Sequence, residues 1–359
     1  MYAGMIIAAV LLLAAVPVMA TGRWRYIFRL FAIDSREMTV EKLNLAVHDP
    51  DDITRVNHLL ASFAGGFNAM ISSPSQADAH AYCDALPVLN QPFAEEGVAM
   101  GYTLRHLFRF DPKRFEEELV RPRPEYRYLY YVGLGFWSGM RNHSQEKVSR
   151  IAVDLDPLHQ FLVFDGYGFK SAFFDYRKNP GSLKKRLDEL DGYSRRAAYQ
   201  GVGRAFWFLY RDDREAMIHH MTQLGEHAAD AAAGVGLASV FVNPDRLDVA
   251  QSLGRSLPRD WQADFHLGMC FALKARSINN LDQFERDMDR AAPAVRQAAY
   301  ESIRECDRVE LQVRADGKDD GYRRWRSRVT AWMVDHVEYP LAGMKSDSRS
   351  ATREPVVSR

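Results

Sequence analysis

A triplet of a small residue, an apolar residue and glycine returns along most of this chain, with its glycine at Gly66, Gly101, Gly135, Gly168, Gly203, Gly236 and Gly268. Successive glycines are 35, 34, 33, 35, 33 and 32 residues apart. The residue two before each is Ala64, Ala99, Gly133, Gly166, Gly201, Gly234 and, in the last copy, His266. So steady a period marks an array of one supersecondary unit, and a unit of about 34 residues is the size of a helical hairpin. The fold expected is therefore all-α: an array of helical hairpins wound into a superhelix of the tetratricopeptide kind, or closed into a ring.

Glycine inside a helix costs about 1 kcal/mol relative to alanine, so its return in every unit needs something a side chain would block. Close approach of the next hairpin is the simpler reason, because an array repeats the same contact in each unit. The sharper reason is a groove where a ligand comes close. A phosphate cradle is not indicated. Gly133-Leu134-Gly135 and Gly201-Val202-Gly203 lack the third glycine of a dinucleotide fingerprint and do not sit between strand and helix.

Charge narrows the partners. Lys and Arg number 47 against 47 Asp and Glu, a balance without the basic excess of proteins that track nucleic-acid phosphates. Cys83, Cys270 and Cys306 are an odd number without CxxC spacing, which reads as reduced, buried thiols. His219, His220, Glu226 and His227 lack a metal-site spacing, Asp154 and Asp156 have no third acidic neighbour, and neither a GxSxG nor a P-loop motif occurs. No cofactor and no metal is expected.

The N-terminus carries a localisation signal. Met5 to Ala20 is uncharged and apolar, and Arg23, Arg25 and Arg29 follow it. With the preceding residues the run reaches bilayer length, and the positive-inside rule puts the body in the cytoplasm behind a retained single-pass anchor in the inner membrane, residues 1–22. Export is the rival, since Val18-Met19-Ala20 resembles a cleavage site; a misassigned start would instead leave a soluble cytoplasmic protein. The helical-repeat body is expected over 28–340, with a first helix from Asp51 to Ala64 and a last around Trp325 to Val337. Tyr126–Val132 and Phe161–Phe164 have strand-like composition, though the helical period runs through both. An eighth glycine is missing near Tyr300, and 345–359 reads as a disordered tail.

If the triplets form packed inner helices, polar residues beside them face the interior. Glu95 and Glu96 precede Gly97, Asp165 precedes Gly166, Gln200 precedes Gly201, Arg204 follows Gly203, and His266 replaces a small residue. Glu96, Asp165, Arg204 and His266 form the candidate catalytic set, with acid-base chemistry in view; capping and mutual pairing is the competing use of such residues. Phe67, Tyr102, Phe136 and Phe169 directly follow triplet glycines, giving either core or the aromatic wall of a site for a long apolar or polyene ligand.

The stretches AEEGVAMG (94–101), YYVGLGF (130–136), FDGYGFKSAFF (164–174), YQGVGRAFWF (199–208) and AGVGLASVF (233–241) occur in that order. Together they resemble the bacterial family called domain of unknown function 1702, whose members are described as enediyne biosynthesis proteins. The resemblance runs from about Phe28 to about Cys306. It implies a place in specialised metabolism beside the machinery that builds a polyketide polyene, and it brings no catalytic residues. The N-terminal apolar stretch and HLGMCFAL around Gly268 depart from the family pattern. The function expected is an accessory protein that binds, and cyclises or rearranges, a long unsaturated intermediate, with pathway proteins as further partners. The alternative is a scaffold without chemistry that holds partner proteins at the membrane.

Overall fold

A computed structural model describes residues 28–317 and 320–336, and every regular element among them is a helix. The expected anchor, 1–22, and the expected tail, 345–359, lie outside the described residues. No helix among those described is long and apolar enough to cross a membrane.

Seven helices carry the repeat: α1 (Pro50–Ser72), α3 (Gln91–Arg105), α5 (Arg127–Met140), α7 (Leu162–Lys170), α9 (Gly192–Tyr210), α11 (Ala228–Val242) and α13 (Arg259–Asn279). Shorter helices alternate with them: α2 (Gln76–Asp84), α4 (Pro112–Phe115), α6 (Gln145–Ala152), α8 (Pro180–Asp188), α10 (Arg214–Thr222), α12 (Leu247–Ser256) and α14 (Leu281–Asp289). α15 (Pro293–Asp316) and α16 (Gly321–His336) complete the chain described. Polar breaks in the sequence supply the caps. Asp49 accepts from the amides of Asp51 and Asp52 ahead of Pro50, Ser75 and Asp78 form a capping box, and Asn179 accepts from Ser182.

The glycines are explained by packing. A Cβ built on Gly135 would lie 1.8 Å from the carbonyl oxygen of Val163, and one on Gly166 would lie 2.0 Å from that of Val132. The same reciprocal contact joins α7 to α9 through Gly168 and Gly201, and α9 to α11 through Gly203 and Gly234. From α5 to α11, each triplet thus turns its first glycine to the preceding long helix and its last to the following one. At this range only a Cα hydrogen fits against the carbonyl. α3 and α13 differ, because their Gly101 and Gly268 face back: a Cβ on Gly101 would lie 2.9 Å from Phe67 O, and one on Gly268 would lie 1.8 Å from Ala233 O. α15 has no glycine.

Side chains one repeat apart meet along the whole length of adjacent helices, as in Gln91 with Tyr126, Glu95 with Tyr130 and Arg105 with Met70, so the long helices run parallel. They also curl back on themselves. Asp52 at the start of α1 pairs with Arg211 at the end of α9 at 2.5 Å. Phe93 on α3 packs on Phe241 of α11 at 5.3 Å, and Asn279 of α13 donates to the Glu125 carbonyl before α5 at 2.6 Å. The first three long helices therefore touch, at their N-terminal ends, the C-terminal ends of those four places on. α16 packs against this body through Tyr322, Trp325 and Val329.

Tyr126–Val132 and Phe161–Phe164, strand-like in composition, are helical or lead into helix. The first helix extends beyond its expected end at Ala64 to Ser72, and the last starts at Gly321. Cys83, Cys270 and Cys306 are buried free thiols.

Candidate functional site

From α3 to α13, the residue just before the first glycine of each long helix that packs on the preceding long helix points into the interior. Glu96, Val132, Asp165, Gln200, Ala233 and Leu267 hold that position, and one turn later Phe136, Phe169, Arg204, Leu237 and Phe271 extend the same inner faces. The polar members meet. Arg204 donates through Nη1 to Asp165, and its Nη2 lies 3.9 Å from Glu96 Oε2. Gln200 donates to the other Asp165 oxygen at 2.8 Å and accepts from Arg326 of α16. Arg326 in turn reaches Asp230 at 3.4 Å and Asp264 at 3.5 Å.

Glu96 and Glu95 part company, because successive residues on a helix point about 100° apart. Glu95 is held by Tyr130 at 2.8 Å, Arg123 at 2.8 Å and His80 at 3.0 Å. Among the described residues, Glu96 pairs with the distant edge of Arg204, 3.9 Å away. Burial, opposed by the guanidinium and reinforced by Asp165, pushes its carboxyl up to about 7. Burial also works against the charge on Arg204, but Asp165 and Glu96 outweigh it and raise its pKa. One buried cation shared by two carboxyls leaves the less closely held one as the proton carrier.

Apolar cavities flank this cluster, with Arg204 in the walls of both. One, of about 50 Å³, is lined by Phe63, Phe93, Phe136, Phe169, Phe173, Phe174 and Phe208 together with Glu96. A π-helical turn at Ser171–Tyr176 follows α7 and supplies Phe173 and Phe174. The other, of about 60 Å³, has Val132, Leu162, Leu237, Phe241, Phe271 and Trp325 around Asp165. It shares Tyr128, His159 and Lys274 with a polar cleft of about 380 Å³. A cavity needs about 10–15 Å³ on this measure to hold one water, so each inner cavity takes a few atoms, and a long ligand requires its walls to part.

His159, on the turn before α7, is a feature that residue spacing did not single out. It is 2% exposed. Its Nδ1 donates to Asp156 at 3.0 Å, while Nε2 is buried without a hydrogen-bond partner, 3.9 Å from Glu310. Burial, only partly offset by Asp156, lowers the imidazole's pKa. Burial opposes ionisation of Asp156 too, yet hydrogen bonds from His159 and Arg314 hold it well below the usual carboxylate range. With the proton on Nδ1, facing the Asp156 carboxylate, the lone pair of the imidazole lies on Nε2, the form a general base requires. The one hint in sequence was the carboxylate of Asp156 three residues before a histidine; Lys274, Glu310 and Arg314 come from far along the chain.

His266 does not join the other three candidates. Its Nδ1 donates to Gln262 O at 2.6 Å, and its ring lies beside Gly254 of α12. The cause is register. In α13 it is the last residue of the triplet that faces back, so the inward position falls to Leu267, and His266 turns aside. Burial lowers its pKa. Among the described residues no group of three His, Cys, Asp or Glu is placed to hold a metal ion.

Residues 24–333 match the family model of a protein of unknown function, DUF1702, and the chain belongs to that family. No curated protein and no solved structure matches it.

Proposed function

We propose that this protein takes an elongated, apolar, unsaturated small molecule into its interior and transfers protons on it, as an accessory step of polyketide-type specialised metabolism such as enediyne assembly. The observation that carries the reading is Glu96, a carboxyl with a near-neutral pKa in a phenylalanine-lined cavity whose wall includes Arg204. The resemblance of the glycine-rich stretches to proteins described as enediyne biosynthesis proteins supports the metabolic setting.

The geometry supports a role for each residue. Glu96 gives or takes a proton at a carbon of the conjugated chain, Arg204 stabilises the anion that develops, and Asp165 holds Arg204 in place. Removal of a proton at one carbon and its return at another shifts the double bonds, and the atoms balance with proton transfer alone. His159 Nε2 offers a second proton acceptor at the mouth shared with the polar cleft. A partner-binding scaffold needs an open inner face, whereas here Phe93 and Phe241 close on each other across it; this favours the ligand reading.

The test is mass spectrometry of an organic extract of the full-length protein purified from its native host. A bound conjugated molecule is expected, and Glu96→Gln should retain it in a double-bond isomer different from that on the wild type. An empty wild-type protein that captures a defined pathway protein would replace this reading with the scaffold.

A further inference from the structure

We infer that the C-terminal ends of α1, α3 and α5, with the segment from Phe28 to Asp34, form a face that rests on an anionic lipid bilayer. Large apolar side chains stand in solvent here. Leu30 and Phe108 are each 83% exposed, Phe31 is 54% exposed and Met140 is 45% exposed. Arg109 and Arg141, also exposed, stand beside them and make no ion pair among the described residues. Asp34, the acidic residue of the segment, is already neutralised by Arg36 at 2.7 Å.

The face is one piece. Asn68 near the end of α1 accepts from Ile33 N at 2.8 Å and donates to Ile33 O at 2.7 Å. Phe28 and Ile33 pack with Phe67, Leu104, Leu107 and Trp137, which draw together the ends of the three helices. The opposite end of α1 has a different character, with Asp52 and Arg55 engaged by Arg211, Arg246 and Asp245.

Lipid is the occupant because of what the chain does next. Toward the N-terminus it leaves this face at Phe28, and the preceding sequence holds Arg25, Arg23 and then sixteen uncharged residues from Met5 to Ala20. Exposed aromatic and aliphatic groups among arginines suit the boundary between acyl chains and anionic headgroups, and here they adjoin a stretch with the composition to enter the acyl region. The face lies beside the phenylalanine-lined cavity, since Phe136 and Phe169 belong both to the cluster packed beneath the face and to the cavity wall.

An environment-sensitive fluorophore on Phe108→Cys of the full-length chain tests this, the native thiols being buried. Val249→Cys, 48% exposed on α12 near the other end of α1, serves as the control site. With vesicles of phosphatidylcholine and phosphatidylglycerol, the dye at 108 should brighten several-fold and shift to the blue while that at 249 does not change. Adding Arg109→Glu and Arg141→Glu should weaken the response at 108. Protein that floats with the vesicles while the dye at 108 stays in water would overturn the assignment and leave the face to a protein partner. Failure to float would overturn it as well.

Discussion

At the scale of single residues, the glycines divide into those that pack and those that do not. A Cβ on Gly203 would sit 1.8 Å from the backbone oxygen of Ala231, whereas one on Gly181, in the first turn of α8, meets nothing closer than 3.6 Å. Gly203→Ala should therefore destabilise the protein by about 3 kcal/mol, because a backbone cannot step aside as a side chain can. Gly181→Ala should stabilise it by about 0.5–1 kcal/mol. Urea unfolding of the two variants measures the contrast. Glu96 gives a second residue-scale expectation. Its pKa rises from 4.5 in the unfolded chain to about 7, so the folded protein keeps a proton that the unfolded chain releases. The stabilisation is complete below the lower value and is lost as pH rises through the upper one, about 3 kcal/mol in all. Glu96→Gln cannot titrate, and urea midpoints at about pH 5 and about pH 8 should differ less for it than for the wild type.

At the scale of elements, the helices were legible because the glycine period overrides local composition. Tyr126–Val132 has the β-branched and aromatic look of a strand, but the next residue, Gly133, packs where a Cβ would lie 2.3 Å from Glu96 O across a helix interface, and that contact decides the conformation. The inward placing of Glu96, Asp165 and Arg204 was legible for the same reason, as each keeps a fixed offset from a packing glycine. His266 shows where such reading fails: its triplet continues the spacing of those in α5 to α11 but is rotated relative to them, and the contacts of Gly268 reveal it. His159 was illegible because its role depends on α13 and α15, brought to it by the curl of the array. α16 is likewise held by what it touches. Arg326 is 2% exposed and anchors this helix to Gln200, Asp230 and Asp264. Burial opposes its charge, but Tyr193 and the two aspartates raise its pKa. Arg326→Met should cost about 3–5 kcal/mol by leaving carboxylates unmatched in the interior. Hydrogen exchange should show α16 losing protection first.

At the scale of the whole molecule, the contacts between early and late helices set this fold apart from an open repeat array in which each unit touches only its neighbours. Stability in such an open array is a sum of local contributions that can unravel from an end. Here Asp52 of α1 holds Arg211 and Arg246, and Arg55 holds Asp245 at 2.7 Å, so the first helix is fastened to the fifth and sixth long ones. Asp52→Asn should lower stability by about 3 kcal/mol, since Arg211 is left buried without its carboxylate. It should also turn one sharp urea transition into a broader one, because α1 is then free to separate ahead of the rest.

That fastening has a consequence for how the chain is made. Arg246 lies 194 residues beyond Asp52, and synthesis at about 5–20 residues per second takes about 10–40 s to cover that distance. Throughout it, α1 waits with Asp52 and Arg55 unpaired with Arg246 and Asp245, and the nascent chain depends on whatever shields that end of the helix until the sixth long helix arrives.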